Sequence, residues 1–110
     1  MKQGEIWSAN LNPSGGSERA GFRPVVIVSG NLLNQHLPVV IVMPLTTKIK
    51  KYKGNPILQP TKLNGLKNES EMLVFQIRSV SKDHLVERIG NIEIAELQRS
   101  IKTLNDILKY

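Results

Sequence analysis

Two runs of β-branched residues limit what this chain can become. Val25-Val26-Ile27-Val28 and Val39-Val40-Ile41-Val42 are short, wholly apolar, and each is preceded by a proline, Pro24 and Pro38. Valine and isoleucine crowd the preceding turn of a helix but pack well on a pleated sheet, so runs this short predict strands buried on both faces. The expected strands are Arg23–Ser29 and Leu37–Leu45, the second closed by Pro44. Glu5–Leu11 alternates loosely around Ile6, Trp7, Ala9 and Leu11 and ends at Asn12-Pro13, a turn signal. Asn55–Gln59, stopped by Pro60, together with Glu71–Val80 and Leu85–Ile89, reads as further extended segments. Asn64-Gly65 marks a tight turn. Ser29–Gln35 and Ser81–His84 each suggest a turn of helix.

The period changes near the C-terminus. Ile94, Leu97, Ile101, Leu104 and Leu108 recur every three or four residues, one face of an amphipathic helix. With Glu93 as N-cap, Glu96 stands at N3, and Ile92 and Leu97 have the spacing of a hydrophobic staple. Many short strands and one terminal helix predict a mostly β protein: a small antiparallel barrel or curled sheet with a C-terminal α-helix packed on it. At 110 residues the expectation is a single domain, 1–110. The absence of cysteine removes disulfide scaffolds, thiolate catalysis and cysteine-ligated metals. No stretch has the length of a membrane span and the N-terminus lacks a signal-type apolar region, so a cytoplasmic protein with no membrane attachment is expected.

The formal net charge of +6 is unevenly distributed. Residues 1–60 hold seven Lys/Arg and two acids, a net of +5, whereas residues 61–110 hold eight and seven, a net of +1. A one-sided positive field suits a polyanion, nucleic acid above all, although solubility alone is the competing explanation.

Three local clusters are chemically distinctive. In Gly16-Ser17-Glu18-Arg19-Ala20-Gly21-Phe22-Arg23-Pro24, glycines let backbone approach a ligand while Glu18 and Arg23 supply opposite charges. Pro24 fixes the chain direction after Arg23, whose guanidinium can grip a phosphate bidentately. A structural Glu18–Arg23 ion pair in a plain loop fits that spacing equally well. Pro44-Leu45-Thr46-Thr47-Lys48 ends an apolar strand with two hydroxyls and a lysine, as a simple strand-to-loop transition also would. In Gln76-Ile77-Arg78, strand alternation would set Gln76 and Arg78 on one face, ligand-binding or merely solvated. His36 and His84 act as an acid/base pair only if the fold unites them; otherwise each is an ordinary surface histidine. No metal-ligand cluster, phosphate loop or nucleophile elbow is present.

Taken in order, Gly4-Glu5-Ile6-Trp7, Leu11-Asn12-Pro13, the Gly16–Val25 string, Pro44-Leu45-Thr46-Thr47 and Gln76-Ile77-Arg78-Ser79-Val80 resemble the MazF/PemK family, the toxins of type II toxin–antitoxin pairs. The resemblance covers essentially the whole chain, and the G-S-E-x-x-G-x-R-P string is its specific part. It implies an SH3-like barrel with a C-terminal helix and a homodimer that is a sequence-specific, metal-independent endoribonuclease on single-stranded RNA. It also implies a MazE-like antitoxin partner, DNA binding in complex with it, and no cofactor. Carried over by position, the catalytic pair falls on Arg23 and Thr46, with Glu18 the most plausible base for the 2′-hydroxyl. Ser17, Phe22, Thr47, Gln76 and Arg78 become candidate RNA contacts. His84-Leu85 departs from the Arg-Leu that many members carry.

Cleavage without metal can proceed by attack of the RNA's own 2′-hydroxyl on the adjacent phosphorus. That route needs a base, stabilisation of the phosphorane charge and a proton for the leaving 5′-oxygen. Lys48, Lys50, Lys51 and Lys53 are candidate phosphate contacts, and Phe22 and Tyr52 candidate platforms for unpaired bases. Two rivals remain: a CcdB-like gyrase poison of the same barrel, although the chain ends in Leu108-Lys109-Tyr110 without that group's tryptophan, and a catalytically silent RNA binder.

Overall fold

The computed structural model of the chain describes residues 1–12 and 21–109. Among the described residues, β1 (Glu5–Asn10), β2 (Phe22–Ile27), β3 (Val39–Thr46), β4 (Ile57–Leu58), β5 (Ser70–Met72), β6 (Arg78–Ser81) and β7 (Leu85–Asn91) form one curled sheet. Its order is β4-β5-β3-β2-β1-β7, with β6 also pairing β3, and every pairing is antiparallel. Helices α1 (Asn31–His36) and α2 (Ile94–Ile107) and two 3-10 turns, Val74–Gln76 and Lys82–His84, complete the architecture. The mostly β expectation with a C-terminal helix is met.

Strand β3 is the pivot. Its first half pairs with β6 and its last two residues with β5. Pro44 therefore does not close the strand, as its lack of an N–H had suggested. Its carbonyl accepts from the Leu73 N–H (2.9 Å). In an extended strand a residue's N–H and C=O point to the same side, so the missing donor falls where β3 changes partner.

The same handover breaks the expected strand Glu71–Val80. Leu45 pairs with Met72, so an unbroken ladder would set Val42 against Phe75; Val42 instead faces Arg78. The three-residue turn Val74–Gln76 absorbs the slip. Gly90 likewise continues β7 instead of ending it.

The valine runs are apolar on every side because the sheet buries both faces. Ile6, Val26, Val28, Met43, Leu45, Leu58, Met72 and Val74 make one cluster, on which Leu97 and Leu104 of α2 pack. Ala9, Val25, Ile27, Val40, Val42, Val80 and Leu85 make the other, with Trp7 and Leu11 against it. Helix α2 starts at the expected place, the Glu96 carboxylate accepting the Glu93 N–H at 2.8 Å. Its periodic face splits, however. Leu97 and Leu104 are packed, whereas Ile94 and Leu108 are 74% and 68% exposed and Ile101 lies at the boundary. The small residues Ser100 and Thr103 take the buried positions instead, letting the helix axis approach the sheet.

A turn, rather than a strand ladder, brings the sheet's far edge back toward β7. The Leu63 carbonyl accepts the Asn91 N–H at 2.9 Å. Gly65 (φ +65°) and Gly90 permit this approach: a Cβ on Gly65 would stand 2.3 Å from the Ile89 carbonyl oxygen, and one on Gly90 2.5 Å from that of Asn64.

Candidate functional site

One end of the sheet carries Phe22, Arg23 and Thr46. Leu85 pairs with Ala9 and Ala9 with Arg23; Val25 pairs with Pro44, and Thr46 with Glu71. Continuing the β2–β3 register two residues beyond Val25 and Pro44 sets Arg23 against Thr46. Opposed residues of an antiparallel pair have Cβ atoms about 5 Å apart. Strand alternation keeps Arg23 on the face of Val25, and Thr46 on that of Val42 and Pro44, which is one and the same face of the sheet. Arg23 is exposed and Thr46 half-buried. The Thr46 Oγ1 accepts the Lys48 N–H at 3.1 Å, which leaves its hydroxyl hydrogen free to donate outward.

Ser17 and Glu18 lie outside the described residues. Phe22 begins β2, exposed, opposite Asn10. Arg78 is exposed and faces Val42. Gln76 does not share a strand face with it, because Gln76 belongs to the 3-10 turn. Thr47, one residue beyond Thr46, lines a separate cavity of about 510 Å³ with Ser8, Pro24, Lys67, Asn68 and Arg88. Lys67 and Arg88 were not singled out from sequence, since neither belongs to a local motif.

The basic loop is built around a residue that sequence reasoning missed. Glu71 has no exposed surface. Its Oε1 accepts the N–H groups of Lys50 (2.7 Å) and Lys51 (2.9 Å), and its Oε2 those of Tyr52 (2.9 Å) and the Asn55 side chain (2.9 Å). Lys51 sits at φ +56°, the left-handed conformation that lets successive N–H groups converge into an anion-binding nest. Burial alone would raise the Glu71 pKa, but these four hydrogen bonds outweigh it and hold the carboxyl below the usual carboxylate range. With the backbone turned inward onto Glu71, Lys50, Lys51, Tyr52 and Lys53 are exposed. Thr103 of α2 ties the loop's far end by donating to the Gly54 carbonyl (2.6 Å). Lys53 shares a cavity with Arg99, Lys102 and Asp106 of α2, where Lys102 is paired with Asp106 at 3.1 Å.

The Tyr52 ring meets Phe75 edge to face, centroids 5.2 Å apart and planes at 77°. Trp7 packs on the second cluster and donates from Nε1 to Glu5 Oε1 (2.9 Å). His84 precedes Leu85, two strands from Arg23 across Ala9, while His36 ends α1. Among the described residues no three His, Asp or Glu side chains gather as a metal site, and no helix is long and apolar enough to cross a membrane.

Residues 2–108 match the model of the PemK-like, MazF-like toxin of type II toxin–antitoxin systems. The chain is 34% identical to endoribonuclease MazF9 of Mycobacterium tuberculosis over 102 residues, 88% of this chain and 86% of that one. It is 32% identical to endoribonuclease EndoA of Bacillus subtilis, covering 84% and 81%. A mycobacterial endoribonuclease solved in complex with its cognate antitoxin superimposes with a TM-score of 0.79 at 21% identity, over 100% of this chain and 98% of that one, a likeness of fold.

Proposed function

This chain belongs to the PemK-like, MazF-like family of toxins of type II toxin–antitoxin systems, and from that premise we propose that it is an endoribonuclease cutting single-stranded RNA in the cytoplasm without a metal. Naming of the matched relatives as endoribonucleases supports the activity. The observation that carries the chemistry is the β2–β3 register, which, continued past Val25 and Pro44, sets Arg23 opposite Thr46 on one face at the sheet's end, beside the lysine loop.

In the proposed reaction the 2′-oxygen attacks phosphorus as its proton passes to a base, for which Glu18 is the candidate. Arg23 offers a forked pair of donors to the phosphorane's non-bridging oxygens, where negative charge accumulates. The Thr46 hydroxyl adds a further donor. The P–O5′ bond breaks and the leaving oxygen takes a proton, giving a 2′,3′-cyclic phosphate and a 5′-hydroxyl. DNA lacks the nucleophile. Lys48, Lys50, Lys51 and Lys53 hold the strand through its phosphates, a contact blind to sequence, and Ser17, Phe22, Thr47, Gln76 and Arg78 are the candidates for reading bases.

The protein acts as a single domain and as a homodimer. An antitoxin neutralises it; the acidic character expected of that partner follows from the toxin's +6 charge. Incubation with a long defined RNA and a matched DNA in EDTA, followed by end mapping, tests the proposal. Cuts in RNA alone at a recurrent short sequence, with 5′-hydroxyl ends, are expected. Gyrase inhibition without cleavage would replace this reading with the poison.

A further inference from the structure

The 3-10 turn between β5 and β6 carries a half-exposed aromatic ring, Phe75. Phe75 is 49% exposed, as is Tyr52, and the two rings touch only edge to face. In that arrangement the edge of one ring meets the face of the other, and about half of each residue stays exposed. Burying large apolar rings normally drives folding, so a half-exposed pair held in a fixed mutual geometry marks a surface built for contact.

The geometry is held by the two elements on either side. The backbone that carries Tyr52 is pinned, because its N–H and those of Lys50 and Lys51 are bound by the buried Glu71 carboxylate. The backbone at Phe75 is held by the turn, in which the Gln76 N–H donates to the Leu73 carbonyl and the Ile77 N–H to that of Val74. Glu71 is also the ladder partner of Thr46, so one residue aligns the loop, the ring pair and the sheet end bearing Arg23.

We propose that Tyr52 and Phe75 form a stacking site for one unpaired base of the RNA strand, with Glu71 as the residue that positions it. The inference rests on the RNA-cleaving reading above and deepens it by adding a binding residue, Phe75, and a positioning residue, Glu71. The occupant is argued from its surroundings. The ring pair is bordered by Lys50, Lys51 and Lys53, cations suited to the phosphates flanking a splayed base, and by the exposed amide of Gln76, suited to a base edge. Stacking is tolerant of base identity, so Phe75 supplies affinity, and any sequence choice at this position comes from Gln76.

The test uses a 2′-O-methylated, hence uncleavable, RNA oligonucleotide of the preferred sequence, with 2-aminopurine placed at each position in turn. Wild-type protein is expected to quench the probe strongly at one position. Phe75→Ala should abolish that quench and weaken binding about tenfold to a hundredfold, while Phe75→Trp retains both. In cleavage of ordinary RNA, Phe75→Ala should raise KM by a similar factor with kcat and recognition sequence kept. Phe75 is half exposed, so a melting curve close to wild type certifies the fold of each Phe75 variant, and Glu71→Gln, expected to be less stable, is assayed at a temperature where its melting curve shows it folded. Glu71→Gln, which puts an amide NH2 where one carboxylate oxygen now accepts two N–H donors, should lose the quench without adding to the effect of Phe75→Ala in the double variant.

A Phe75→Ala protein that binds and quenches like wild type overturns the proposal, and if it instead fails to bind a protein partner, the rings are a protein-docking patch. Wild-type protein that binds and quenches yet cuts no RNA overturns the endoribonuclease reading and leaves the stacking site standing. Wild-type protein that binds no oligonucleotide at low salt overturns both.

Discussion

Val25 and Pro44 are register partners across β2 and β3, and continuing that register by two residues sets Arg23 opposite Thr46, 23 positions away in sequence. Neither packs in the core, so each can be changed without dismantling it. Arg23→Ala is expected to lower cleavage by at least about 10²–10³-fold, the usual loss when one preorganised donor to a developing oxyanion is removed. Its denaturant midpoint should stay within about 0.5 kcal/mol of wild type, as for surface changes generally. Single-turnover cleavage beside a urea melt measures both. Wild-type cutting by the variant would remove Arg23 from the chemistry.

The lysine loop predicts a salt law. Each phosphate contact on a single strand contributes a slope of about −0.7 in log K against log salt. Lys50→Ala and Lys51→Ala should each reduce the magnitude of the slope by roughly that amount and weaken binding to all sequences alike. A filter-binding series from low to high salt reads the slope directly. An unchanged slope would put the RNA path elsewhere, for example over Lys67 and Arg88.

What was legible in the sequence depended on how local its cause is. Strands β1, β2 and β3 and helix α2 follow from side-chain periodicity and caps, which neighbouring residues decide. The single strand expected over Glu71–Val80 failed because its break is imposed by β3, a partner some thirty residues upstream, through a register that no local pattern encodes. Pro44 misled for a related reason, its missing N–H being harmless only where the strand changes neighbour. Arg23 and Thr46 were found through a motif resemblance, and their opposition needed the fold. Glu71 had no signal at all. A glutamate in a strand of mixed polarity reads as solvated, and only the loop that folds over it makes it the loop's anchor.

The closure between the turn and β7 leaves no room for a side chain. Gly90→Ala would drive a Cβ to 2.5 Å from the Asn64 carbonyl, and Gly65→Ala adds an unfavourable positive φ to a 2.3 Å clash. Backbone cannot yield as a flexible side chain can, so each should cost about 2 kcal/mol or more. Gly4→Ala provides the contrast, because no atom lies within 4 Å of its added Cβ and only the positive φ is penalised. Urea midpoints for the three variants should rank Gly4→Ala as the mildest.

Acid should loosen the fold through two carboxylates. Burial alone would raise Glu5, but the Trp7 indole, the Lys2 N–H, Arg88 (3.7 Å) and the N-terminus lower it, so its pKa, like that of Glu71, lies below the ordinary 4.5. An unfolded chain rebinds these protons more readily than the folded one. Stability from both groups is therefore fully present above about pH 4.5 and is lost as pH falls through the lower folded-state values. Denaturant midpoints are expected to be level from pH 7 to 5 on this account and to decline below about 4.5. Glu71→Gln should cost about 2–4 kcal/mol at pH 7, because backbone donors lose a charged acceptor in a buried site. It should also flatten part of the acid decline. A Glu71→Gln protein as stable as wild type at pH 7, with the same acid profile, would show that the loop needs no anion to hold it.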